Sequence, residues 1–398
     1  MARELPRWAA KYPELGTGPL PIDPYIEPEF LEFEREHIFG TAWLNVGRVD
    51  DAPMPGSYFV REIDICNASV LVTHASDGVI RAFHNVCSHR ANKLVWESKG
   101  TCRGYLGCCF HGWTYDLEGR LCGVLDEENF HDLDKDTLGL TPIATGVWQG
   151  FIFVNFQPQP EETLDEYLGG LVEDLRDHPL DKLALTFRLD VDDQANWKVA
   201  LDAQNEIYHL PVLGPVHGAF TDFFETNEEG CTRFNEFKRF GRHTVYSTNM
   251  NPEYVPVGLE QAILNVPVTP LPMPTNGIFD FHVIFPNFVI GFLPGSMFTY
   301  NFWPMGVDRT IWEIRLYFPQ AQSAAELCVQ HYRKAKLRDA LAEDIAGHEN
   351  VHRGLATRAK REFFLQDEEV QIRSFHHTWH QYLNASRASG AAESVGSR

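Results

Sequence analysis

Two segments decide the fold of this chain: Cys87-Ser88-His89 and, after eighteen intervening residues, Cys108-Cys109-Phe110-His111-Gly112-Trp113. Each segment supplies one cysteine and one histidine, and thiolates and imidazoles together bind transition metals. A Cys2His2 set is common in structural zinc sites, but zinc fingers pair Cys with Cys and His with His, and their first spacing is longer than C-x-H. One Cys and one His from each segment instead favour a [2Fe–2S] cluster, in which two cysteines bind one iron and two histidines bind the other.

The residues around these ligands carry a family resemblance. The run NVCSHR at 85–90, followed by CCFHGWTYD at 108–116, resembles the Rieske [2Fe–2S] signature, and the resemblance covers roughly residues 41–155. Cys109 stands where that family usually has proline, which leaves the ligand spacing unchanged. The resemblance implies that the cluster ligands are Cys87, His89, Cys108 and His111.

Composition and charge exclude several classes of protein. Of 398 residues, 44% are hydrophobic and 22% charged, which is too apolar for a disordered chain. Lys and Arg number 34 against 55 Asp and Glu, and the resulting net charge of −21 argues against nucleic acid or an anionic membrane as a partner. No apolar run reaches the length of about eighteen residues needed to span a membrane, and the N-terminus has no apolar signal segment, so we expect a cytoplasmic protein. Five of the eight cysteines fall within 87–122, which fits a local metal site better than a disulfide framework.

Hydrophobic periodicity predicts an α+β fold. Short segments of alternating polarity, separated by Gly, Asp and Asn turns, indicate an all-β unit early in the chain. Helical patterns and Phe-rich apolar runs indicate a larger unit with an antiparallel sheet and flanking helices. We therefore expect a small all-β Rieske domain at 41–155, inserted into a catalytic domain formed by 1–40 and 156–398. The small polar residues of 384–398 predict a frayed tail.

A second set of ligand residues lies in the segment NWKVALDAQNEIYHLPVLGPVH at 196–217. Its pattern predicts a helix in which Glu206 and His209, three residues apart, share one face. His217 follows after a loop containing Gly and Pro, which could turn its imidazole back towards His209. Two histidines and a carboxylate, with open positions on the metal, form the non-haem Fe(II) site that activates oxygen.

This segment resembles the helix that follows the Rieske domain in the α subunits of ring-hydroxylating oxygenases. The resemblance implies that His209 is an iron ligand and that Glu206 is the acid that bridges to a cluster histidine of the neighbouring subunit. It implies His217 as the second histidine ligand. Because the family's usual gap between the two histidines is shorter, His243 stays open as the alternative.

The third iron ligand is expected from a distant carboxylate. LAEDIAGHENVHRGL at 341–355 resembles the late family segment in which an Asp lies shortly before a polar residue and Arg-Gly. It implies Asp344 as the ligand, with the adjacent Glu343 as the alternative. In the earlier segment, Asp202 and Asn205 are candidates for orienting the ligands through hydrogen bonds.

The resemblance implies a terminal oxygenase that uses O2 and electrons from a ferredoxin, a flavin reductase or both. Its cofactors would be the [2Fe–2S] cluster and a mononuclear Fe(II). No GxGxxG fingerprint in a βαβ context is present, so NAD(P)H would act only through the partner reductase. A head-to-tail homotrimer, with an α3β3 hexamer as the alternative, would bring one subunit's cluster beside the next subunit's iron.

The substrate is predicted only from the surroundings of the second metal site. Few basic residues lie nearby beyond Lys238, Arg239 and Arg242, so we expect an apolar or aromatic substrate, hydroxylated by cis-dihydroxylation or monooxygenation, rather than a carboxylated one. O- or N-demethylation is the alternative within the family. An electron carrier and a zinc-stabilised binding protein are the rivals from other classes. The candidates for the cavity lining are Phe220, Phe223, Phe224, Phe279, Phe281, Phe285, Phe288 and Phe292.

Overall fold

The chain folds as two units, seen here in a computed structural model. The described residues are 7–275 and 277–396, except for the side chains of Phe220 and 389–396. One unit spans Ile38–Tyr167, and the other combines Met1–His37 with Leu168–Arg398. The α+β class predicted from the sequence is confirmed.

The helices and strands of the described residues have the following bounds. The α-helices are α1 Arg7–Lys11, α2 Asp23–Ile26, α3 Pro28–Glu34, α4 Leu164–Leu168, α5 Gly170–Asp174, α6 Trp197–Gln204, α7 Pro215–Phe223, α8 Gly258–Leu264, α9 Ala324–Ala356 and α10 Val370–Gly396. The strands are β1 Leu20–Pro21, β2 Leu44–Arg48, β3 Ser57–Ile63, β4 Ala68–His74, β5 Ile80–His84, β6 Lys99–Thr101, β7 Tyr105–Gly107, β8 Thr114–Asp116, β9 Leu121–Gly123, β10 Pro142–Trp148, β11 Phe151–Asn155, β12 Ala184–Asp193, β13 Glu236–Phe240, β14 His243–Thr248, β15 Phe279–Ile284, β16 Phe288–Leu293, β17 Ser296–Gly306, β18 Arg309–Phe318 and β19 Glu362–Phe363.

The smaller unit is built from two antiparallel sheets. A seven-stranded sheet has the order β2-β11-β10-β5-β4-β3-β6, and a three-stranded sheet has the order β7-β8-β9. The unit extends beyond the predicted range 41–155, because residues after β11 pack back onto the segment that precedes β2. Trp43 Nε1 donates a hydrogen bond to the carbonyl of Glu162 at 3.0 Å, and Asn155 Nδ2 donates to that of Thr41 at 2.8 Å.

The larger unit is organised around a seven-stranded antiparallel sheet with the order β12-β18-β17-β16-β15-β14-β13. Its central strands are apolar almost throughout, and nine of the eleven residues of β17 are buried. A strand that is buried on both faces loses the polar alternation of a half-exposed strand. The turn after α6 and the helices α7 and α9 carry the candidate ligands described below.

Two helical predictions differ from the structure. The segment LDEYLGGLVEDLRDH forms two short helices rather than one, because Gly169 between them has a φ of 54°, outside the helical region. The final helix α10 continues through Gly396. Residues 384–396 are therefore helical rather than frayed, and 397–398 lie outside the described residues. In the described part of the chain, every helix is too short or too polar to cross a membrane.

Candidate metal centres and cavity

His209, His217 and Asp344 come together in the larger unit from three separate elements. His209 lies in the turn after α6, His217 in the first turn of α7, and Asp344 within α9. One ligand atom of each side chain lies within 4.8 Å of the other two. Nε2 of His217 and Nε2 of His209 face the same oxygen, Oδ1 of Asp344, at 3.3 and 3.6 Å. Two imidazoles and one carboxylate make up the ligand set of a non-haem iron site.

The Asp344 carboxylate fits a bound cation. Its Oδ1 is buried, and no described residue donates a hydrogen bond of ordinary geometry to it. Burial by itself would raise the pKa of this carboxyl, but the imidazoles of His217 and His209 bring the pKa below its ordinary value. The group is therefore ionised at neutral pH. A buried, ionised oxygen without a donor is costly unless a metal ion or another cation compensates its charge.

Each imidazole is held in place by a second carboxylate on its other nitrogen. Nδ1 of His209 lies 2.5 Å from Oε1 of Glu206, and Nδ1 of His217 lies 2.7 Å from Oε2 of Glu343. When Nδ1–H donates to a carboxylate, Nε2 keeps its lone pair and is available to a metal. Both imidazoles therefore present their ligand nitrogen towards Asp344.

The sequence predicted that Glu206 and His209 share one face of a helix. The structure differs, because α6 ends at Gln204, before both residues. The Oε2 atom of Glu206 accepts hydrogen bonds from the backbone N–H groups of Tyr208 and His209. In a continuing helix these N–H groups would bond to carbonyls of the preceding turn. The Glu206 carboxylate thus stabilises a turn that brings its other oxygen to the imidazole.

Glu343 is excluded from the ligand group by its position on the far side of His217. Its carboxylate accepts the backbone N–H groups of Val216 and His217, each at 3.0 Å, at the start of α7. Negative charge is favourable at a helix N-terminus. Gly214 is required next to it, because a Cβ at this position would overlap the Glu343 carboxylate. Of the two adjacent acids considered from the sequence, only Asp344 joins the convergent group.

The structure does not place Asp202 and Asn205 against the two imidazoles. Asp202 Oδ2 accepts a hydrogen bond from Tyr25 Oη at 2.5 Å and lies 3.0 Å from His376 Nε2. Asn205 Oδ1 accepts a hydrogen bond from Gln371 Nε2 at 3.2 Å. Both residues therefore tie α6 to neighbouring elements and do not orient the ligands as expected.

The alternative ligand His243 also lies elsewhere. It is fully buried at the start of β14, and its Nδ1 accepts the backbone N–H of Phe285 at 3.1 Å. The basic residues singled out in the sequence have partners of their own, namely Glu236 for Lys238, Glu14 for Arg239 and Tyr382 for Arg242.

A cavity borders the convergent group, and most of its lining is apolar, with aromatic rings and aliphatic side chains in similar numbers. The aromatic lining residues are Phe224, Tyr246, Phe279, Phe281, Phe298 and Tyr300. The charged residues of the lining are Glu206 and Asp344, and the described lining residues include no Lys or Arg. Gln204 also lines the cavity, and its side-chain nitrogen is buried without a hydrogen-bond partner among the described residues.

Strand register explains how the rings gather in one place. Tyr246 pairs with Phe281, Phe281 with Gly291, and Gly291 with Phe298, so these four residues form one row across β14–β17. Residues in register across a sheet lie on the same face. A Cβ at Gly291 would overlap the Phe298 ring, so the glycine allows that ring to lie across β16.

Three of the eight predicted phenylalanines line the cavity, namely Phe224, Phe279 and Phe281. Of the others, Phe285 packs against Phe375 and Tyr382 instead, and the side chain of Phe220 is outside the described residues. Tyr246, Phe298 and Tyr300 also line the cavity and were not predicted from the sequence. The spacing of Phe298 and Tyr300, two residues apart on a strand, was the available signal that they share a face.

The two tyrosines of the cavity remain neutral. Burial, followed by the negative charge of Glu206, raises the pKa of Tyr246 well above its ordinary value. Burial and Asp344 do the same for Tyr300. Their rings therefore act as uncharged aromatic faces.

A second cavity reaches Glu206, His209 and Asp344, and its other acidic lining residues are Asp202 and Glu369. Burial raises the pKa of Glu369 to about 7, with the charges of Glu206 and Asp202 adding to the shift. The described residues of this lining also include no Lys or Arg. Both cavities beside the centre are thus acidic.

In the smaller unit, the two Cys–His segments form matching loops. In one, the Cys87 N–H donates to the carbonyl of Asn92 at 2.8 Å, and in the other the Cys108 N–H donates to the carbonyl of Trp113 at 2.8 Å. The two thiols are buried and contact each other, and Cys87 Sγ lies 3.3 Å from Tyr115 Oη. The structure thus brings both cysteines together.

The two histidines of these loops form the second pair. The ring centroids of His89 and His111 are 4.6 Å apart, and the ring of His89 stacks on Trp113 at 4.9 Å. Nδ1 of His89 is buried without a hydrogen-bond partner among the described residues. A thiol pair beside an imidazole pair with an unpartnered nitrogen fits a [2Fe–2S] cluster with two Cys and two His ligands.

Fold and site together define an oxygenase with a Rieske domain and a mononuclear iron domain, and comparison with known proteins agrees. The family model of the ring hydroxylating alpha subunit (catalytic domain) matches residues 180–385, more than half of the chain. The model of the Rieske [2Fe-2S] domain matches residues 42–132. The chain belongs to the family of ring-hydroxylating oxygenase α subunits.

Three similar proteins illustrate the relationship. The chain is 34% identical to the oxygenase subunit of glycine betaine monooxygenase from Chromohalobacter salexigens over 218 residues, which cover 54% of this chain and 48% of that protein, about half its length. It is 28% identical to chloroplastic choline monooxygenase of Beta vulgaris, over 90% of this chain and 76% of that protein. A solved quaternary ammonium Rieske monooxygenase, described for carnitine oxidation, has the same fold, with a TM-score of 0.76, 22% identity and coverage of 96% and 99%.

Membership of the family establishes the class of enzyme and its cofactors. The protein is a Rieske-type oxidoreductase that incorporates molecular oxygen. It uses a [2Fe–2S] cluster and a mononuclear iron, and in this family a reductase typically supplies the electrons. The electron carrier and the zinc-stabilised binding protein are therefore excluded. Proteins of this family work with electron-transfer partners and form oligomers.

Proposed function

We propose that this chain is the oxygenase subunit of a monooxygenase that hydroxylates a carbon bonded to the nitrogen of a quaternary ammonium compound. The observation that carries the proposal is the cavity beside His209, His217 and Asp344, which combines an aromatic lining with acidic residues. The names of the relatives, which act on glycine betaine, choline and carnitine, support the same substrate class.

The aromatic lining suits a quaternary ammonium group for a physical reason. A nitrogen with four carbon substituents has no N–H to donate, so hydrogen bonds cannot recognise it. Its diffuse positive charge is attracted to the faces of aromatic rings, and each desolvated contact contributes about 0.5–2 kcal/mol. Neutral Tyr246 and Tyr300 serve in the same way as phenylalanine.

We infer that His209, His217 and Asp344 bind the mononuclear iron, and that the [2Fe–2S] ligands are Cys87, His89, Cys108 and His111. When bound, the iron supplies oxygen activation and the cluster supplies single electrons. Glu206 and Glu343 hold the two imidazoles with Nε2 available to the metal. The aromatic lining holds the ammonium group beside these three ligands and keeps water away from it.

The balanced reaction is a monooxygenation. A trimethylammonium compound, O2, two electrons and two protons give the carbon-hydroxylated cation and water. When the hydroxylated carbon is a methyl group, its bond to nitrogen then breaks. The electron pair of that bond stays on nitrogen, and the products are the tertiary amine, formaldehyde and one proton. This outcome is the N-demethylation considered as an alternative from the sequence.

Hydroxylation of an aromatic substrate, the main hypothesis from the sequence, is not supported by the relatives. Dioxygenase chemistry and aromatic hydrocarbon catabolism lack support for the same reason. The relatives instead act on quaternary ammonium compounds, as their names state.

A single-turnover experiment tests the proposal. The purified protein, with both metal centres loaded, is chemically reduced and exposed to oxygen with choline or with 3,3-dimethylbutanol, in which carbon replaces the charged nitrogen. We expect an oxidised or demethylated product from choline and at least about tenfold less product from the neutral isostere, because the isostere gains nothing from the ring faces.

A matched pair of variants tests whether the cavity is responsible for the discrimination between choline and the neutral isostere. Phe281→Leu removes one aromatic face, whereas Phe285→Leu removes a buried ring outside the cavity. Only the first change should weaken discrimination between choline and the isostere. Equal turnover of the two compounds by the unaltered protein, or turnover of simple arenes but of no ammonium compound, would contradict the proposal.

A further inference from the structure

The charged residues around the cavity affect which polar group a substrate can carry at the end opposite its ammonium nitrogen, here called the far end. Glycine betaine and carnitine carry a carboxylate in addition to the ammonium nitrogen, whereas choline carries a hydroxyl group. The acidic residues that line the first cavity are Glu206 and Asp344, and the second cavity adds Asp202 and Glu369. Among the described lining residues of the two cavities, acidic side chains are therefore present and Lys and Arg are not.

A substrate carboxylate would have no cationic partner in either cavity. Enzymes bind carboxylates with Arg, which pairs with both oxygens, or with Lys. The described lining residues of the two cavities include neither. The two positive charges of an Fe(II) ion are already balanced by Asp344 and Glu206. A carboxylate taken out of water here would lose its hydration without compensation.

Basic residues close to the lining in sequence are engaged in other contacts, including Lys198 with Glu34, Arg338 with Asp339 and Arg373 with the carbonyl of Leu365. Lys336 precedes the lining residue Leu337, and its Nζ lies 2.8 Å from Oε1 of Glu260. One turn earlier on α9, Arg333 donates a hydrogen bond to the carbonyl of Pro294 at 2.5 Å. Both cations therefore already have oxygen partners outside the cavity.

The polar group that remains for the far end of a substrate is a neutral amide. Gln204 lines the first cavity, and its Nε2 is buried with no hydrogen-bond partner among the described residues. A buried N–H2 group without an acceptor costs free energy, which a hydroxyl or carbonyl oxygen of a ligand would recover. An amide donor binds such neutral oxygens without requiring a negative charge.

From these contacts we infer that the substrate is a monocation, a quaternary ammonium compound whose far end carries a hydroxyl, carbonyl or amide group, and that carboxylated zwitterions are rejected. Gln204 determines this specificity by donating to the neutral oxygen. The inference rests on the proposed function and narrows its substrate class.

Matched pairs of ligands that differ only in charge test the inference. Glycine betaine is compared with its primary amide, and carnitine with carnitinamide, with choline as a reference. The measurements are dissociation constants by calorimetry on the metal-loaded protein and kcat/KM with a reductase. We expect the amides to bind at least about tenfold more tightly than the acids, because a buried carboxylate without a cation is strongly disfavoured.

Substitutions of Gln204 provide an independent arm of the test. Gln204→Arg places a cation in the cavity and should reverse the preference within each pair. Gln204→Leu has no charge and no donor, so it should weaken binding of choline and of the amides by several-fold. Binding of propyltrimethylammonium, which has no oxygen, should be unchanged in Gln204→Leu.

The outcomes separate this inference from the proposed function. Equal or tighter binding and turnover of the carboxylated compounds would overturn the inference and leave the proposed function intact. No binding of any of these trimethylammonium compounds would overturn both. Preference for the amides, reversed in Gln204→Arg, would support both.

Discussion

At the scale of single residues, the neighbours Glu343 and Asp344 show how one helix turn separates two roles. Successive residues of an α-helix point about 100° apart. Asp344 therefore faces the convergent Nε2 atoms, while Glu343 faces the N-terminus of α7 and the Nδ1 atom of His217. Sequence alone gives two adjacent acids, and the rotation of α9 decides which one can act as a ligand.

Because the two acids have different positions, we predict that their substitution weakens binding of the mononuclear iron to different extents. Asp344→Asn removes the proposed anionic ligand and should abolish retention of the mononuclear iron. Glu343→Gln removes only the carboxylate that holds His217, and such changes typically lower metal affinity about 10- to 100-fold. Iron titration in the presence of a chelator measures both, and the iron and sulfide of the cluster serve as an internal control. Loss of the metal to the same extent in both variants would contradict the assignment.

Glu206 has a separate test because it contacts His209 without belonging to the ligand set. Its carboxylate accepts three hydrogen bonds within its own chain, which leaves one of about four lone-pair sites available for a donor from another subunit. We predict that Glu206→Gln can still be loaded with both metal centres when iron is supplied in excess, as judged by iron and sulfide content, but that the loaded variant has almost no turnover with the reductase. Normal turnover with full metal content would disprove a bridging role.

At the scale of secondary-structure elements, the aromatic lining depends on the register of four strands. Gly291 lies between Phe281 and Phe298 in the row that crosses β14–β17. A Cβ at this glycine would overlap the Phe298 ring. Both the packing of the sheet and the shape of the cavity therefore require glycine at this position.

Gly291→Ala should therefore displace the ring and affect both stability and binding. Overpacking of a buried position typically costs about 1–3 kcal/mol in the free energy of unfolding. Denaturant unfolding of the metal-loaded protein measures this cost, and the KM for the ammonium substrate should rise. Gly306→Ala is the control, because the contact of its added Cβ would be an ordinary one of 3.6 Å with Asp308. Unchanged stability and KM in Gly291→Ala would show that the ring position is not constrained.

At the scale of the whole molecule, electrons could pass from a cluster to an iron of the same subunit or of a neighbouring subunit. The family forms oligomers, and the structural relative is described for inter-subunit electron transfer. We predict that this chain forms a head-to-tail homotrimer in which a cluster in one subunit serves the iron of the next.

A mixed-subunit experiment tests this expectation. Cys108→Ser lacks a cluster ligand, and Asp344→Asn lacks an iron ligand, so each variant alone should be inactive. In a random mixture of equal amounts, about one subunit in four has its own iron and a neighbour with an intact cluster, so about a quarter of the normal turnover should return. No recovery in mixed trimers with full occupancy of the intact sites would place electron transfer within one subunit.

The sequence could predict features whose residues lie close together in the chain. Each of the two Cys–His loops closes within six residues, so the sequence motif alone identifies both ligand pairs. The α+β class follows from hydrophobic periodicity, and the family resemblance supplied the class of enzyme and its cofactors. The helix predicted through Glu206 and His209 was wrong, because the Glu206 side chain takes the backbone N–H groups that a helix needs.

Tertiary structure decided the features that depend on residues distant in the chain. The convergence of His209 and His217 with Asp344, the role of Glu343 and the exclusion of His243 all depend on how separate elements pack. The aromatic row depends on strand register, which a period of two does not specify, since the same alternation is compatible with several pairings. A local pattern records which face of an element is buried, whereas only the packed chain determines what that face meets.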